Sequence, residues 1–484
     1  MKRKYVSLSF LIIAVIVIFT GIYHNKKPLP EGVSVLYPER SIAGDSIKWF
    51  FDNTYIDEGG ERVSEQEIFS ALYRAIENAE QLIVIDMFFF SDFIGSLDSP
   101  YLELASELTD RLVAKKERSP STDIVFITDN VNTLYGGFTP EHFTDLKEAG
   151  IRLLITDTTM LRDSNPLYSG IWRVLIQPFG ISEGGIFTNA MDARMPKVGL
   201  RSYLKSLNFK ANHRKVMISD YRDEQDILRL ASFITSANPH DGSARNSNVA
   251  VRLDNNSSFD LLRSENALLK LHGEPVVETD AVSYREDEVS ATVQVVTEGM
   301  IEDTLIGDIE STQEGDRIDM LMFYFADRDI VRALKRASDR GVEMRFILDP
   351  NKDSFGREKS GIPNRQVGYE LDNHHENIQI RWCNTTGEQC HSKVTIITRS
   401  NRTTISHGSA NLTKRNIGNY NLETNVLIRA RDGDESVEPM ISEFEKQWSN
   451  ESDIYTLPFE AYEDSAITRI LRYRIQEFTG FGSF

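Results

Sequence analysis

The chain has 484 residues, 40% hydrophobic and 26% charged, which suffices for one large core or two moderate ones and excludes a fibrous or disordered protein. Its 73 acidic residues against 54 basic give a formal net charge of −19, a balance that argues against a dedicated polyanion binder. Two cysteines, Cys383 and Cys390, exclude a disulfide scaffold and a cysteine-based zinc site.

In chain order, a basic N-terminus at 1–4 (Lys2, Arg3, Lys4) precedes an apolar run from Tyr5 to Tyr23. At roughly 1.5 Å per residue this run is long enough to cross a hydrocarbon core of about 30 Å. It ends at Thr20-Gly21-Ile22-Tyr23 without the small-residue pattern of a cleavage site, which favours an uncleaved signal anchor over 5–23. Lys26 and Lys27 nearly balance the three basic residues before the span, leaving a small bias toward an extracytoplasmic catalytic part. A linker is expected over 24–58.

Two segments then follow one script. EIFSALYRAIENAE has helical apolar spacing at Ile68, Leu72, Ala75 and Ile76, and it leads into the strand-like LIVIDMFFFSD. The segment from Glu298 to Asp316 leads into RIDMLMFYFAD in the same way. IVFITDN, with Asp129, matches MRFILDP, with Asp349, and these aspartates read as strand-end turn residues. ANHRKVMISD then matches QCHSKVTIIT, and TSAN matches GSAN. The constant order of matches predicts a duplication, with α/β halves at 59–275 and 291–450 joined by a linker at 276–290.

Three stretches fall outside the repeat. The first half carries an apolar insert at 158–207, including Trp172, Leu175, Phe179 and Phe187, read either as an acyl-chain or membrane contact or as a flap over a sheet face. Its counterpart is the short loop CNTTGEQ, where Cys383 and Cys390 either close a disulfide or stay free. In the C-terminal segment, 451–484, Ile467, Ile470, Leu471 and Ile475 share one helical face, with Arg469, Arg472 and Arg474 elsewhere. The spacing predicts a helix packed on its own domain; a membrane-surface helix is the alternative.

The chemistry sits in two constellations. The first is His213, Lys215 and Asp220, an H-x-K-x4-D pattern, followed by Ser236 and Asn238. The second is His391 and Lys393, then Ser409 and Asn411, then Asn421 and Glu423. The chain has only 9 histidines, and two of them occupy the same local context. Lysines neutralise phosphoryl oxygens, while amides and hydroxyls add directed hydrogen bonds. One neutral imidazole attacks phosphorus while a second, protonated, donates to the leaving alcohol. No metal or other cofactor is required by this scheme.

Both constellations resemble the paired motifs of the phospholipase D superfamily, and the likeness runs from about Glu65 to Trp448. The resemblance implies two similar halves, each a mixed sheet flanked by helices, packed about a pseudo-two-fold axis with one shared site. It implies a covalent phospho-histidine and a ping-pong reaction. His213 and His391 become the nucleophile and the acid/base, with His213 favoured as nucleophile. Lys215, Lys393, Ser236, Asn238, Ser409 and Asn411 become phosphate ligands, and Glu423 orients an imidazole. Two positions depart from the pattern: Thr398 replaces the second aspartate, and aligning NSNV with ETNV puts Asn246 where the first half should have its glutamate.

Within that superfamily the apolar span, the apolar insert and the negative charge favour a phospholipid substrate over nucleic acid. The nearest likeness, around LNFKANHRK and GSANLTKRNIGNYNLETN, is to bacterial cardiolipin-synthase-like and phospholipase D-like membrane proteins. A membrane-anchored nuclease and an inactive membrane scaffold are the competing functions.

Overall fold

In the computed structural model, which describes residues 2–98, 100–279, 282–283 and 290–482, the sequence repeat becomes two sheets of matching design. Up to residue 275 the strands are β1 (Arg40–Ile42), β2 (Ile47–Ile56), β3 (Arg62–Glu65), β4 (Leu82–Met87), β5 (Asp123–Asp129), β6 (Arg152–Thr156), β7 (Lys215–Arg222), β8 (Leu228–Thr235) and β9 (Asn248–Leu253). Beyond it come β10 (Ala291–Thr297), β11 (Arg317–Met322), β12 (Glu343–Leu348), a short hairpin of β13 (Asp353–Ser354) and β14 (Arg357–Glu358), β15 (Ile378–Cys383), β16 (Lys393–Arg399), β17 (Arg402–Gly408), β18 (Thr424–Ala430) and β19 (Thr456–Pro458).

The first sheet runs β3-β2-β9-β8-β7-β4-β5-β6, and the second runs β1-β10-β18-β17-β16-β11-β12-β15-β19. The shared seven-strand unit matches in order and direction: β4, β5 and β6 are parallel like β11, β12 and β15, and the remaining pairs are antiparallel.

Burial on both faces explains the near-continuous apolar runs of the inner strands. In β4, Val84 packs into a core shared with the other sheet, whereas Ile83, Ile85 and Met87 meet the helices behind. In β11, Leu321 joins the shared core, and Ile318, Met320 and Met322 face the second half's helices. The shared core holds Val216, Ile218 and Val251 of one sheet against Val394, Ile396 and Ile428 of the other. The sheets therefore lie face to face, with helices outside. Helix Ile68–Asn78 buries Ile68, Leu72 and Ile76. Helix Arg328–Asp339 buries Ile330, Val331 and Leu334, and Asp327 caps it by accepting from the N–H of Asp329 and Ile330.

The flanking segments do more than the sequence indicates. Residues 24–58 are no plain linker, because β1 edges the second sheet through β10 while β2 is integral to the first through β9. The expected linker at 276–290 lies largely outside the described residues. At 451–484, β19 extends the second sheet beside β15 before the C-terminal helix, Ile467–Thr479. That helix packs on its own domain through Tyr473 and Glu477, but its apolar row of Ile467, Leu471 and Ile475 is exposed. Cys383 and Cys390 are joined in a disulfide that closes the loop before His391. The basic side chains of Lys2, Arg3 and Lys4 lie outside the described residues; the apolar run forms helix Lys2–Lys26.

Candidate active site between the halves

Each catalytic histidine candidate stands just ahead of a central strand, β7 or β16, where the chain of one half touches the other. The His213 N–H donates to the Leu422 carbonyl (2.9 Å), and the His391 N–H donates to the Ser247 carbonyl (2.8 Å). These reciprocal contacts carry the pseudo-two-fold relation into the site. Behind them sit the strand-end aspartates. Asp129 accepts from the backbone N–H of Asn212 (2.7 Å), and Asp349 does the same for Cys390 (2.8 Å). Each also accepts from the residue two positions on, Val131 or Asn351, so both are turn anchors that position the residue before a histidine.

The imidazoles are oriented across the interface. His213 Nδ1 lies 3.0 Å from Glu423 Oε2 and 2.9 Å from Oε1. Ser409 Oγ and Asn416 Nδ2 donate to the same carboxylate. His391 Nδ1 lies 3.2 Å from Asn248 Oδ1, which also accepts from Ser236 Oγ at 3.0 Å. An acceptor at Nδ1 keeps the proton there and leaves Nε2 for chemistry. The Asn248 amide is held in that orientation because its Nδ2 donates to the Asn246 carbonyl (3.0 Å).

Three sequence expectations need correction. The partner of His391 is Asn248, and Asn246 instead accepts from the Gln389 N–H (2.9 Å) while lining the cleft. Ser236 and Ser409, expected as phosphate ligands, instead spend their hydroxyls on the orienting groups, Ser236 donating to Asn248 and Ser409 to Glu423. Asp220 is outside the cleft: its carboxylate accepts from the N–H groups of Glu80, Gln81 and Leu82 at 2.8–3.0 Å, clamping the entry to β4. In the second half Asp316 accepts from Gln313 N (2.9 Å) in the turn before β11, and Thr398 stands opposite Arg317. Asp220→Ala is accordingly expected to cost about 2–4 kcal/mol in denaturant unfolding, with turnover by the folded fraction little changed.

The lysines are placed alike. Lys215 Nζ donates to the His213 carbonyl (2.7 Å) and lies 5.1 Å from the Phe88 ring centroid; Lys393 Nζ donates to the His391 carbonyl (2.6 Å) and lies 5.1 Å from Phe323. Phe88 and Phe323 also pack at a tilt against His213 and His391, each with ring centroids 4.7 Å apart. The signal for these phenylalanines was the repeated MFFFSD and MFYFAD.

Burial pushes Lys215 down to about 7 and Lys393 well below the usual lysine range, where Lys215 adds repulsion. Both histidines are held well below their ordinary range, first by burial and then by the two ammonium groups. Burial raises Glu423 to about 7. A phosphoryl group among the lysines would favour their charged forms.

His213, His391, Asn238 and Asn411 open onto one cleft of about 350 Å³. Asn238 Oδ1 accepts from the Phe89 N–H (3.1 Å). Aromatic residues, among them Phe88, Phe89, Tyr135, Phe209, Tyr324 and Phe355, share the walls with a larger set of polar side chains that includes the cations Lys210, Lys359 and Arg415. Arg214, between His213 and Lys215, faces away and is fully buried, paired with Glu265 (3.1 Å) and Glu298 (2.7 Å). Glu298 in turn accepts from the Glu423 N–H (3.1 Å), tying the orienting glutamate's backbone to the first half. Serine occupies the matching position in the second half, so spacing gave no sign of this network.

Residues 305–448 match the family model described as "Cardiolipin synthase, PLD-like domain". No curated protein sequence matches. Among solved structures, a phosphatidylserine synthase from Haemophilus influenzae Rd KW20 is similar over 92% of this chain and 97% of its own, at 10% identity and a TM-score of 0.54. A polyphosphate kinase from Porphyromonas gingivalis is similar over 90% of this chain and 53% of its own (14% identity, TM-score 0.46). Nuc, a phospholipase D family member from Salmonella typhimurium, is similar over 34% of this chain and 99% of its own (23% identity, TM-score 0.27). The first likeness is one of fold.

Proposed function

We propose that this chain, whose residues 305–448 match a cardiolipin-synthase, phospholipase D-like domain model, is a membrane-anchored enzyme of the phospholipase D superfamily that transfers or hydrolyses phospholipid phosphodiesters through a phospho-histidine. The observation that carries the chemistry is the crossed pair of hydrogen bonds, His213 to Glu423 and His391 to Asn248, behind two imidazoles that line one cleft. In the first step His213 Nε2 attacks phosphorus and the bond to the leaving alcohol breaks. Protonated His391 donates to the departing oxygen. In the second step His391 takes a proton from water or an acceptor alcohol, whose oxygen attacks phosphorus and breaks the P–N bond. Lys215, Lys393, Asn238 and Asn411 would hold the non-bridging oxygens throughout.

Three features support a lipid. The cleft carries several Phe and Tyr side chains beside its polar and basic ones, the net charge of −19 suits a nucleic-acid groove poorly, and helix Lys2–Lys26 contains an apolar stretch, Leu8–Lys26, long enough to cross a membrane. That helix is integrated with the fold: the Asp163 N–H donates to the His24 carbonyl (3.0 Å), and Asn25 Nδ2 donates to the Asp163 carbonyl (2.7 Å). Such integration fits an anchor better than a leader that is cut away. The disulfide before His391 supports an extracytoplasmic catalytic part.

The test is a parallel assay. Detergent-solubilised protein receives phosphatidylglycerol, phosphatidylcholine with a primary alcohol, or a single-stranded oligonucleotide. His213→Ala and His391→Ala serve as controls. Lipid turnover lost in both variants is the expected result. Cleavage of the oligonucleotide alone would replace the lipid reading with a nuclease, and inactivity on every substrate would point to a scaffold.

A further inference from the structure

The insert helix packs on the N-terminal helix and the C-terminal helix abuts the insert; the two are unrelated in sequence, yet both leave their apolar rows outward. Insert helix Pro166–Leu175 packs against helix Lys2–Lys26 through glycines. A Cβ on Gly170 would come within 2.4 Å of the Val17 carbonyl oxygen, and one on Gly21 within 2.3 Å of the Pro166 oxygen. Val17 lies six residues before Tyr23, or roughly 9 Å inside the end of the apolar run. A helix packed at that level shares its depth. It meets this demand, because Leu167, Ile171 and Leu175, spaced i, i+4, i+8 on one face, are 74%, 38% and 47% exposed.

The C-terminal helix Ile467–Thr479 continues the surface. Its end abuts the cap of the insert helix: a Cβ on Gly480 would meet the Ser164 carbonyl oxygen at 2.3 Å. Tyr473 and Glu477 fasten the helix to the body, with the Tyr473 hydroxyl donating to the Ala326 carbonyl (3.2 Å) and Glu477 accepting from the Lys414 N–H (2.8 Å). The opposite face carries Ile467, Leu471, Ile475 and Phe478, all more than half exposed. A helix that turns its polar side to its own protein and its apolar side outward needs an apolar neighbour. Exposed Lys26 and Arg472 flank this surface with positive charge, in a chain whose net charge is strongly negative.

The platform is joined to the cleft. Lys210, a cleft residue, pairs with Asp163 at 2.7 Å, as does Arg173 of the insert helix. Phe209, also in the cleft, meets Phe481 at 5.6 Å between ring centroids. We propose that the insert helix and the C-terminal helix form an interfacial platform, embedded in the anionic leaflet where the N-terminal helix emerges, that seats the catalytic cleft on the bilayer surface. This rests on the membrane-anchor reading above, which it extends to two further segments.

Because the two native cysteines are paired, an introduced cysteine is the sole thiol for labelling. Full-length protein in phosphatidylglycerol-containing vesicles would carry a fluorophore at Ile12→Cys, Leu167→Cys, Leu471→Cys, Phe478→Cys or Glu314→Cys, the last in the loop before β11 at the opposite end of the strands. The expected result is that probes at 12, 167, 471 and 478 are blue-shifted and quenched by nitroxide lipids, while the probe at 314 is quenched only from water. Leu471→Glu with Phe478→Glu should lower turnover of vesicle lipid by about tenfold or more and leave a monomeric short-chain substrate unaffected. A lipid-quenched probe at 12 beside water-quenched probes at 167, 471 and 478 would overturn the platform and keep the anchor. A water-quenched probe at 12 would overturn both.

Discussion

His213→Ala is expected to reduce turnover by about four orders of magnitude or more and to abolish the covalent intermediate, whereas His391→Ala should trap it. This expected assignment rests on the asymmetry of the two Nδ1 partners. Glu423 places a carboxylate on His213, and Ser409 and Asn416 hold that carboxylate in place. A carboxylate makes Nε2 more basic and stabilises the positive ring that a phosphoryl group creates. Asn248 offers His391 only an amide oxygen, so the His391 imidazolium gives up its proton more readily, as a general acid should. The measurement uses a radiolabelled phosphodiester with an activated aryl leaving group, which needs no acid to depart. Acid-labile, base-stable label should accumulate on His391→Ala and be absent from His213→Ala. Label retained by His213→Ala and mapped to His391 would reverse the roles.

The duplication was readable because the chemistry and the strand order repeat together. MFFFSD and MFYFAD, the two H-x-K segments and the two S-A-N segments fall on β4/β11, β7/β16 and β8/β17 with their flanks. What the sequence concealed lies between these matches. Asn246 and Asn248 are two residues apart, and a two-residue shift keeps every side chain of an extended segment on its face. Hydrophobic alternation therefore cannot detect that error. The asparagine-valine pair shared by NSNV and ETNV reinforced the wrong register, and only the hydrogen bond to His391 Nδ1 identifies the partner. Asp220 misled for a different reason: its place in a catalytic-looking pattern reflects a turn it supports from the far end of the strand. The C-terminal helix is helical and attached to its domain, as its spacing predicts. Its spacing gave an apolar face but not the direction in which Tyr473 and Glu477 would turn it.

Anion affinity should fall as pH rises. Lys215 is lowered to about 7 and Lys393 well below the usual lysine range, both chiefly by burial, and both histidines are lowered as well. A dianion seated among them favours every charged form, so binding takes up protons. Sulfate is a clean probe, because its own charge is constant across this range. The slope of log Kd against pH should steepen by about one as pH rises through about 7, where Lys215 joins the groups that must gain a proton. Calorimetric titration in two buffers of different ionisation enthalpy counts those protons directly, and Lys393→Ala should remove about one of them. The stability signs are opposed in the free protein. Lys215, lowered from 10.5, contributes stability that is present above 10.5 and lost as pH falls through about 7. Glu423, raised from 4.5, contributes stability that is present below 4.5 and lost as pH rises through about 7. The pair thus partly cancels near neutrality, and the thermal shift produced by sulfate isolates the cationic groups: it should be larger at pH 6 than at pH 9. A sulfate Kd that stays flat across this interval, or proton release on binding, would show that the lysines remain charged without an anion and do not gate phosphate capture.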